Sequence, residues 1–321
     1  MQVVVIGAGV SGLSSALRLV EAGHAVQVWA RERPLDTTSA VAAAIWYPYL
    51  AEPADRVREW AGVTLREFVR LAVDSATGIV LRDGLEVFRH PVDDPPWASV
   101  VPGFRRAVRN ELPPGYADGY AMRLPVIDMS VYLGWLERRL LASGAGITQR
   151  TVGSLGEIGD EADLVVNCSG LGARDLCHDH ELFGVRGQVI VVEAPAVSQF
   201  RIDDATVTYI IPRLRDVVLG GTAEDHVYDT RIDAASSASI RAHCERLNPL
   251  VSNAPARAHK VGIRPCRPSV RLERERLDGM PVVHNYGHGG AGVTLSWGCA
   301  DEVASLCVPP YGASRDRTQS V

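Results

Sequence analysis

The sequence predicts an α/β protein in which a Rossmann-like dinucleotide-binding domain, built from discontinuous segments, carries an α+β second domain with a mainly antiparallel sheet. Three observations lead there. The chain opens as strand, G-x-G-x-x-G turn, helix and strand, the first βαβ unit of a dinucleotide-binding fold. A second glycine-rich strand-to-helix turn, Gly287 to Gly292, stands near the other end. Between the two, the βαβ pattern gives way to short alternating strands separated by proline-rich stretches such as Pro91 to Pro102. A length of 321 residues suits two domains.

The opening unit reads Val3-Val4-Val5-Ile6, then Gly7-Ala8-Gly9-Val10-Ser11-Gly12, with Leu13, Ala16, Leu17 and Val20 at helical spacing behind it and Val26-Gln27-Val28-Trp29 as the next strand. Gly7 serves the tight turn, Gly9 lets backbone N–H groups approach a pyrophosphate, and Gly12 permits close packing of helix on strand. An acid for the adenosine ribose is expected about 20 residues further on. The strand instead ends Trp29-Ala30-Arg31-Glu32. Glu32 is the displaced candidate, and Arg31 keeps a 2′-phosphate, hence NADP, open at this point. Thr37, Thr38 and Ser39 follow as a hydroxyl cluster that suits phosphate oxygens or, equally, caps a helix. Ala43, Ala44 and Ile45 are small or aliphatic and let a flat ring lie against the backbone before Trp46, Tyr47 and Tyr49.

Ala54 to Val73 has an amphipathic helical pattern. From Gly78, Ile79-Val80-Leu81 and Leu85 to Phe88 read as two strands around an Asp83-Gly84 turn, which opens the second domain. Val131 to Leu141 returns to helix, and Ile147 to Val152 to strand. Asp163 to Gly170 is an apolar strand that stops at Ser169-Gly170, the form of a carboxyl edge where such sheets bind ligands. Strands are expected at Gln188 to Glu193, Thr206 to Ile211, Val217 to Gly221 and Lys260 to Pro268, with a helix from Ile232 to Leu247. Arg271 to Arg276 reads as a solvated, ion-paired face, and Thr294 to Leu306 as a final helix. The expected limits are 1–75, 128–185 and 281–321 for the cofactor domain, and 76–127 and 186–280 for the substrate domain.

A formal charge of −5 gives no reason to expect nucleic acid or an anionic membrane as partner. No stretch approaches the ~20 apolar residues of a membrane span. The six cysteines form no C-x-x-C pair and no metal-ligand grouping, so reduced thiols are expected. With the first strand beginning at residue 2 or 3, the expected address is cytoplasmic. Lys260 is the only lysine, which sets Schiff-base catalysis aside.

Two glycine-rich turns at opposite ends of one chain suit a long cofactor that meets one with its pyrophosphate and the other with its ring system, which favours FAD over NAD. The block Val282 to Ala300 resembles, position for position, the signature of the D-amino-acid oxidase family, which includes D-aspartate oxidase. Arg186-Gly187-Gln188, Tyr209-Ile210-Ile211-Pro212, Gly262-Ile263-Arg264-Pro265 and Arg271-Leu272-Glu273-Arg274-Glu275 match it in family order, together with the stretches at 7–14, 42–46 and 166–170. The resemblance implies FAD-dependent oxidation of a D-amino acid to an imino acid, which water converts to a 2-oxo acid and ammonia, while oxygen becomes hydrogen peroxide. It puts the substrate carboxylate on Arg264 and the Tyr209 hydroxyl, the amino group on the Gly290 carbonyl, and Tyr49 at the pocket. Hydride transfer to the flavin N5 then needs no protein base.

It further implies that FAD is held by Gly7 to Gly12, Arg31, Glu32, Thr37, Thr38, Ser39, Ala43, Ala44, Ile45 and Trp46. Val152, Ser169, Gly170, Gly289, Gly290, Gly292, Val293 and Thr294 complete that set. The expected partners are a D-amino acid and oxygen, with a homo-oligomer left open. Arg213 and Arg215, in an expected exposed turn, leave neutral, apolar substrates preferred over D-aspartate. A related glycine or amine oxidase is the nearest alternative, and an NAD(P)-binding dehydrogenase or nucleotide sensor the alternative of another class. Mammalian relatives carry a lid tyrosine where Ala205 stands, so a reduced or absent lid is expected, and many relatives have glycine at Ala44, so a slightly shifted flavin contact is expected there.

Overall fold

The computed structural model describes residues 1–48, 50–277 and 279–308. The chain begins β1 (Gln2–Ile6), α1 (Val10–Glu21), β2 (Ala25–Ala30) and α2 (Ala54–Leu71). It continues through β3 (Ile79–Phe88), β4 (Arg105–Arg106), β5 (Asp118–Ile127), α3 (Met129–Ala142), β6 (Gly146–Gln149), β7 (Leu164–Asn167) and α4 (Ala173–Leu176). The remainder is β8 (Phe183–Val192), β9 (Phe200–Asp203), β10 (Thr208–Pro212), β11 (Val217–Gly220), β12 (Glu224–Asp225), α5 (Ala234–Leu247), β13 (Ala256–Leu277), β14 (Met280–His288) and α6 (Gly292–Cys307).

All strands share one sheet in the order β4-β5-β3-β9-β10-β11-β8-β13-β14-β7-β1-β2-β6, with β12 on β8. Strands β14, β7, β1, β2 and β6 run parallel, as βαβ crossovers require. The other part is antiparallel apart from the β3–β9 pair. β13 joins the two, pairing β8 along its first half and β14 along its second. The expected limits at 185/186 and 280/281 fall inside β8 and β14.

Helices cover the parallel part. Leu13 and Leu17 of α1, Trp60 and Phe68 of α2, Leu136 of α3 and Trp297 of α6 are all buried in its core, each contributing ~1.5–3 kcal/mol through apolar burial. Gly298 lets α6 cross α2 closely, since a Cβ there would lie 2.3 Å from Trp60 Cα. Trp297 Nε1 donates to the Tyr132 hydroxyl at 2.8 Å, tying α6 to α3. On the far face of the antiparallel part, Ile190, Ile210 and Leu219 pack under Ile240, Cys244 and Leu247 of α5.

Two sequence expectations are corrected. Asp83-Gly84 is no turn, because β3 runs through it as one strand. Its glycine serves close approach, since a Cβ at Gly84 would lie 2.4 Å from the Phe200 carbonyl oxygen on β9. The run Arg271 to Arg276 is ion-paired but only partly solvated. Arg271 turns inward, donating to the Tyr286 hydroxyl at 2.9 Å while pairing with Glu273 and Glu275. The six cysteines are unbridged. Among the described residues, no helix is long and apolar enough to cross a membrane.

Candidate active site

A cavity of about 670 Å³ runs along the carboxyl edge of the parallel strands and over one face of the antiparallel ones. At one end lies the β1–α1 turn. Gly7 sits at φ +108°, and a Cβ there would lie 2.4 Å from the Cys168 carbonyl oxygen, so no other residue fits. The α1 N-terminus has no side-chain cap and no acid in its first turn. Its Val10 N–H donates to Ser39 Oγ at 3.0 Å, and a Cβ on Gly9 would stand 3.0 Å from that same oxygen. The backbone amides of the α1 N-terminus and the Ser39 hydroxyl, with Thr37 and Thr38 beside them on the cavity wall, form a cradle suited to a pyrophosphate. Beyond it Arg31 and Glu32 line the cavity as an exposed ion pair at 2.9 Å. Val152 lies on the same wall, as does Arg150, whose guanidinium stacks 3.8 Å above the Trp29 ring.

Further along, Ala43, Ala44 and Ile45 face Gly289, Gly290, Gly292 and Val293 of the second glycine turn, with Ser169 and Gly170 at the end of β7. Gly287 and Gly289 have φ of +80° and +56°. Ala44 also has a left-handed φ of 53°, which explains why glycine suits this position better. His288 is buried, faces Asn285 Oδ1 at 3.0 Å, and burial alone lowers its pKa to about 4. Its imidazole is therefore neutral near pH 7.

The last part of the cavity rests on the antiparallel strands. Tyr209 pairs in register with Gly220, and its ring occupies the space that a Gly220 side chain would take, 1.9 Å from a Cβ built there to Tyr209 Cζ. Its hydroxyl lies 2.7 Å from where a Gly221 Cβ would be. Arg264 on β13 uses a second gap, since a Cβ on Gly187 would meet its Nη2 at 2.6 Å. Nη1 donates to the Thr222 carbonyl at 3.0 Å. Phenol and guanidinium thus converge on one short segment, Gly220 to Thr222. Burial pushes the Tyr209 phenol above its ordinary pKa range, and the Arg264 cation beside it opposes this. Among the described residues no carboxylate ion-pairs with Arg264. A partly buried cation so placed is complementary to an anionic ligand.

Most of the expected site residues are brought together in this cavity, and three are not. Gly12 lies beneath it, where a Cβ would come 1.9 Å from the Gly7 carbonyl oxygen, so its role is helix packing. Trp46 is fully buried, donates its indole N–H to the Ala61 carbonyl at 2.9 Å and packs on Trp97. Thr294 Oγ1 bonds both the backbone N–H and the carbonyl of Tyr47, at 3.0 and 2.9 Å, so it anchors a neighbouring loop. Tyr49 lies outside the described residues. Arg213 is buried in an ion pair with Asp216 at 2.7 Å rather than exposed, and neither it nor Arg215 lines the cavity. The segment carrying Ala205 is a strand, a single tight turn and a strand, with Val207 and Thr208 on the cavity wall. Sequence reasoning missed Gly187 and Gly220, although glycine inside a strand pattern was the available signal.

The fold and the two glycine turns together are those of a dinucleotide-binding protein. Residues 2–306 match the DAO family model, described as FAD dependent oxidoreductase, and the chain belongs to that family. It is 49% identical over 308 residues to the D-amino-acid oxidase of Rubrobacter xylanophilus, covering 94% of both chains. Human D-aspartate oxidase is 39% identical over 321 residues, covering 95% of this chain and 94% of that one. The glycine oxidase of Geobacillus kaustophilus shares the fold with a TM-score of 0.81 at 17% identity, covering 95% and 93% of the two chains.

Proposed function

We propose that the protein is an FAD-dependent D-amino-acid oxidase acting on substrates with neutral, apolar side chains. The observation that carries the substrate reading is the convergence of Arg264 and Tyr209 over Gly187 and Gly220, at one end of a cavity whose other end is the Gly9 cradle. FAD, when bound, supplies the two-electron acceptor for the substrate's Cα–N bond and passes those electrons to oxygen as hydrogen peroxide. Backbone amides at the α1 N-terminus and the Ser39 hydroxyl would hold its pyrophosphate, and the glycine turn at Gly289 to Gly292 would lie beside its ring.

Arg264 holds the substrate carboxylate through two parallel N–H bonds, and the Tyr209 hydroxyl donates a third. The Gly290 carbonyl accepts from the amino group, which fixes the remaining orientation of Cα. Catalysis by the protein is orientation and charge complementarity, consistent with a His288 that stays neutral. The imino acid leaves for water, which yields the 2-oxo acid and ammonia.

Neutral side chains are favoured over acidic ones by the cations on the wall. Arg31 is paired with Glu32 and Arg150 with Glu161, both towards the adenosine end, which leaves Arg264 committed to the α-carboxylate. The test is peroxide release by the flavin-loaded chain from matched D- and L-amino acids, with glycine and D-aspartate included. Release from D-alanine and D-valine but not their L-forms is expected. Release from L-forms or glycine alone would overturn the reading.

A further inference from the structure

A strained residue stands on the cavity wall beside the carboxylate anchor. Val207 has a φ of 52°, and among the described residues it is the only β-branched one in the left-handed region. That conformation suits glycine or asparagine and crowds a branched side chain. It persists only where the surroundings hold it. The Val207 carbonyl accepts the Gly221 N–H at 2.7 Å, and Thr206 Oγ1 bonds Thr208 Oγ1 at 2.9 Å across the turn. The turn starts from buried Asp203, whose Oδ2 accepts the Tyr116 hydroxyl at 2.7 Å and pairs with Arg89 at 3.0 Å.

The strain brings no core packing. Ile202, Tyr209 and Ile211 line the cavity and also pack on the main hydrophobic core. Val207 lines the same cavity but is half-buried and lies outside every hydrophobic cluster of the described residues. Its hydrogen-bond partner Gly221 borders the anchor, since a Cβ there would lie 2.7 Å from the Tyr209 hydroxyl. An apolar group is thus held next to the phenol, with part of its surface open to the cavity.

We propose that Val207 is a specificity-determining residue, whose isopropyl group meets the substrate side chain and favours aliphatic ones. The inference deepens the D-amino-acid oxidase reading and rests on it. An aliphatic side chain covers the open surface of Val207 and removes it from water. A polar side chain there gives up hydration without gaining a partner. The methyl of D-alanine covers little of that surface.

The test compares kcat/KM for D-leucine and D-alanine in the flavin-loaded wild type, Val207→Gly and Val207→Asn. Both replacements accept a left-handed φ and so keep the turn. A methylene in an enclosed apolar pocket changes kcat/KM by about tenfold or more. Val207 forms one wall of an open pocket, so the D-leucine to D-alanine ratio is expected to fall about fivefold in both variants, through KM for D-leucine. The urea midpoint of Val207→Gly is expected to stay level or rise, because relief of the left-handed φ offsets the entropy that glycine adds to the unfolded chain. A purely structural role would lower both substrates together and leave the ratio unchanged, and that result overturns the inference. A ratio that rises would make Val207 a steric stop and overturns it too, as does failure of both variants to fold. If one variant does not fold, the other decides alone. A wild type that oxidises D-alanine with unchanged variant ratios refutes this inference only, whereas one that oxidises no D-amino acid refutes the functional reading with it.

Discussion

Truncating Arg264 to alanine removes a guanidinium that occupies the gap over Gly187 and donates to the Thr222 carbonyl at 3.0 Å. Two losses follow. The substrate carboxylate loses a bidentate partner, and the Tyr209 hydroxyl is left as its remaining side-chain donor. Removing one member of a desolvated, hydrogen-bonded charge pair costs about 2–5 kcal/mol, which at about 1.4 kcal/mol per factor of ten is a fall of roughly 30-fold to several thousandfold in kcat/KM. Most of it belongs in KM, because the carboxylate is held before and during the reaction alike. Steady-state peroxide release from D-alanine measures this, with flavin content and far-UV circular dichroism as controls. Arg264→Lys is expected to recover only part of the loss, since an ammonium cannot form the parallel pair. A folded, flavin-loaded Arg264→Ala with kcat/KM within about fivefold of wild type would remove Arg264 from the site.

Three further outcomes are expected. Gly9→Ala places a Cβ 3.0 Å from Ser39 Oγ in the pyrophosphate cradle, so FAD affinity measured by fluorescence titration falls at least about tenfold while the fold is retained; unchanged affinity would contradict the cradle. Ala44→Gly relieves a left-handed φ of 53°, a conformation that costs a side chain ~1–2 kcal/mol, partly offset by unfolded-state entropy. The urea midpoint is expected to rise by up to about 1 kcal/mol equivalent, and a lower midpoint would show that the alanine methyl contributes packing. His288 is held to about 4 by burial, below its ordinary value. Above pH 6.5 it is neutral in both states and contributes nothing. As pH falls from about 6.5 to about 4 the unfolded chain takes up its proton and the folded one resists, so stability drops by roughly 3 kcal/mol across that window. His288→Gln is expected to lose correspondingly less stability between pH 7 and pH 4, and equal losses would place the titration elsewhere.

The parallel part of the fold was legible because local rules specify it. A β-branched run, three spaced glycines and an apolar helical stripe admit few other readings, and β1, α1 and β2 form within a residue or two of where they were expected. The antiparallel part was less legible. Gly84 reads locally as a hairpin turn, yet its reason for being glycine is Phe200, more than a hundred positions away in the chain. The site divides the same way. Residues whose backbone lines the candidate cradle, such as Gly9, announce themselves by type. Trp46 and Thr294 sit in the matching stretches but face the interior, because the alternation of inward and outward side chains inside a motif depends on loop geometry. Glu86, which accepts the Tyr47 hydroxyl, carries no such signal, because only the fold brings β3 to the loop that carries Tyr47.

The central claim is that one chain brings an FAD cradle and a carboxylate anchor into a single cavity so as to oxidise D-amino acids. Anaerobic mixing of the flavin-loaded protein with D-alanine, followed by visible absorbance, tests it most directly, because it reads electron transfer from substrate to bound flavin before oxygen takes part. Rapid bleaching with D-alanine, none with L-alanine, and recovery of colour on admitting air are expected. A flavin that stays oxidised with every D-amino acid supplied, or that bleaches with the L-form instead, would contradict it.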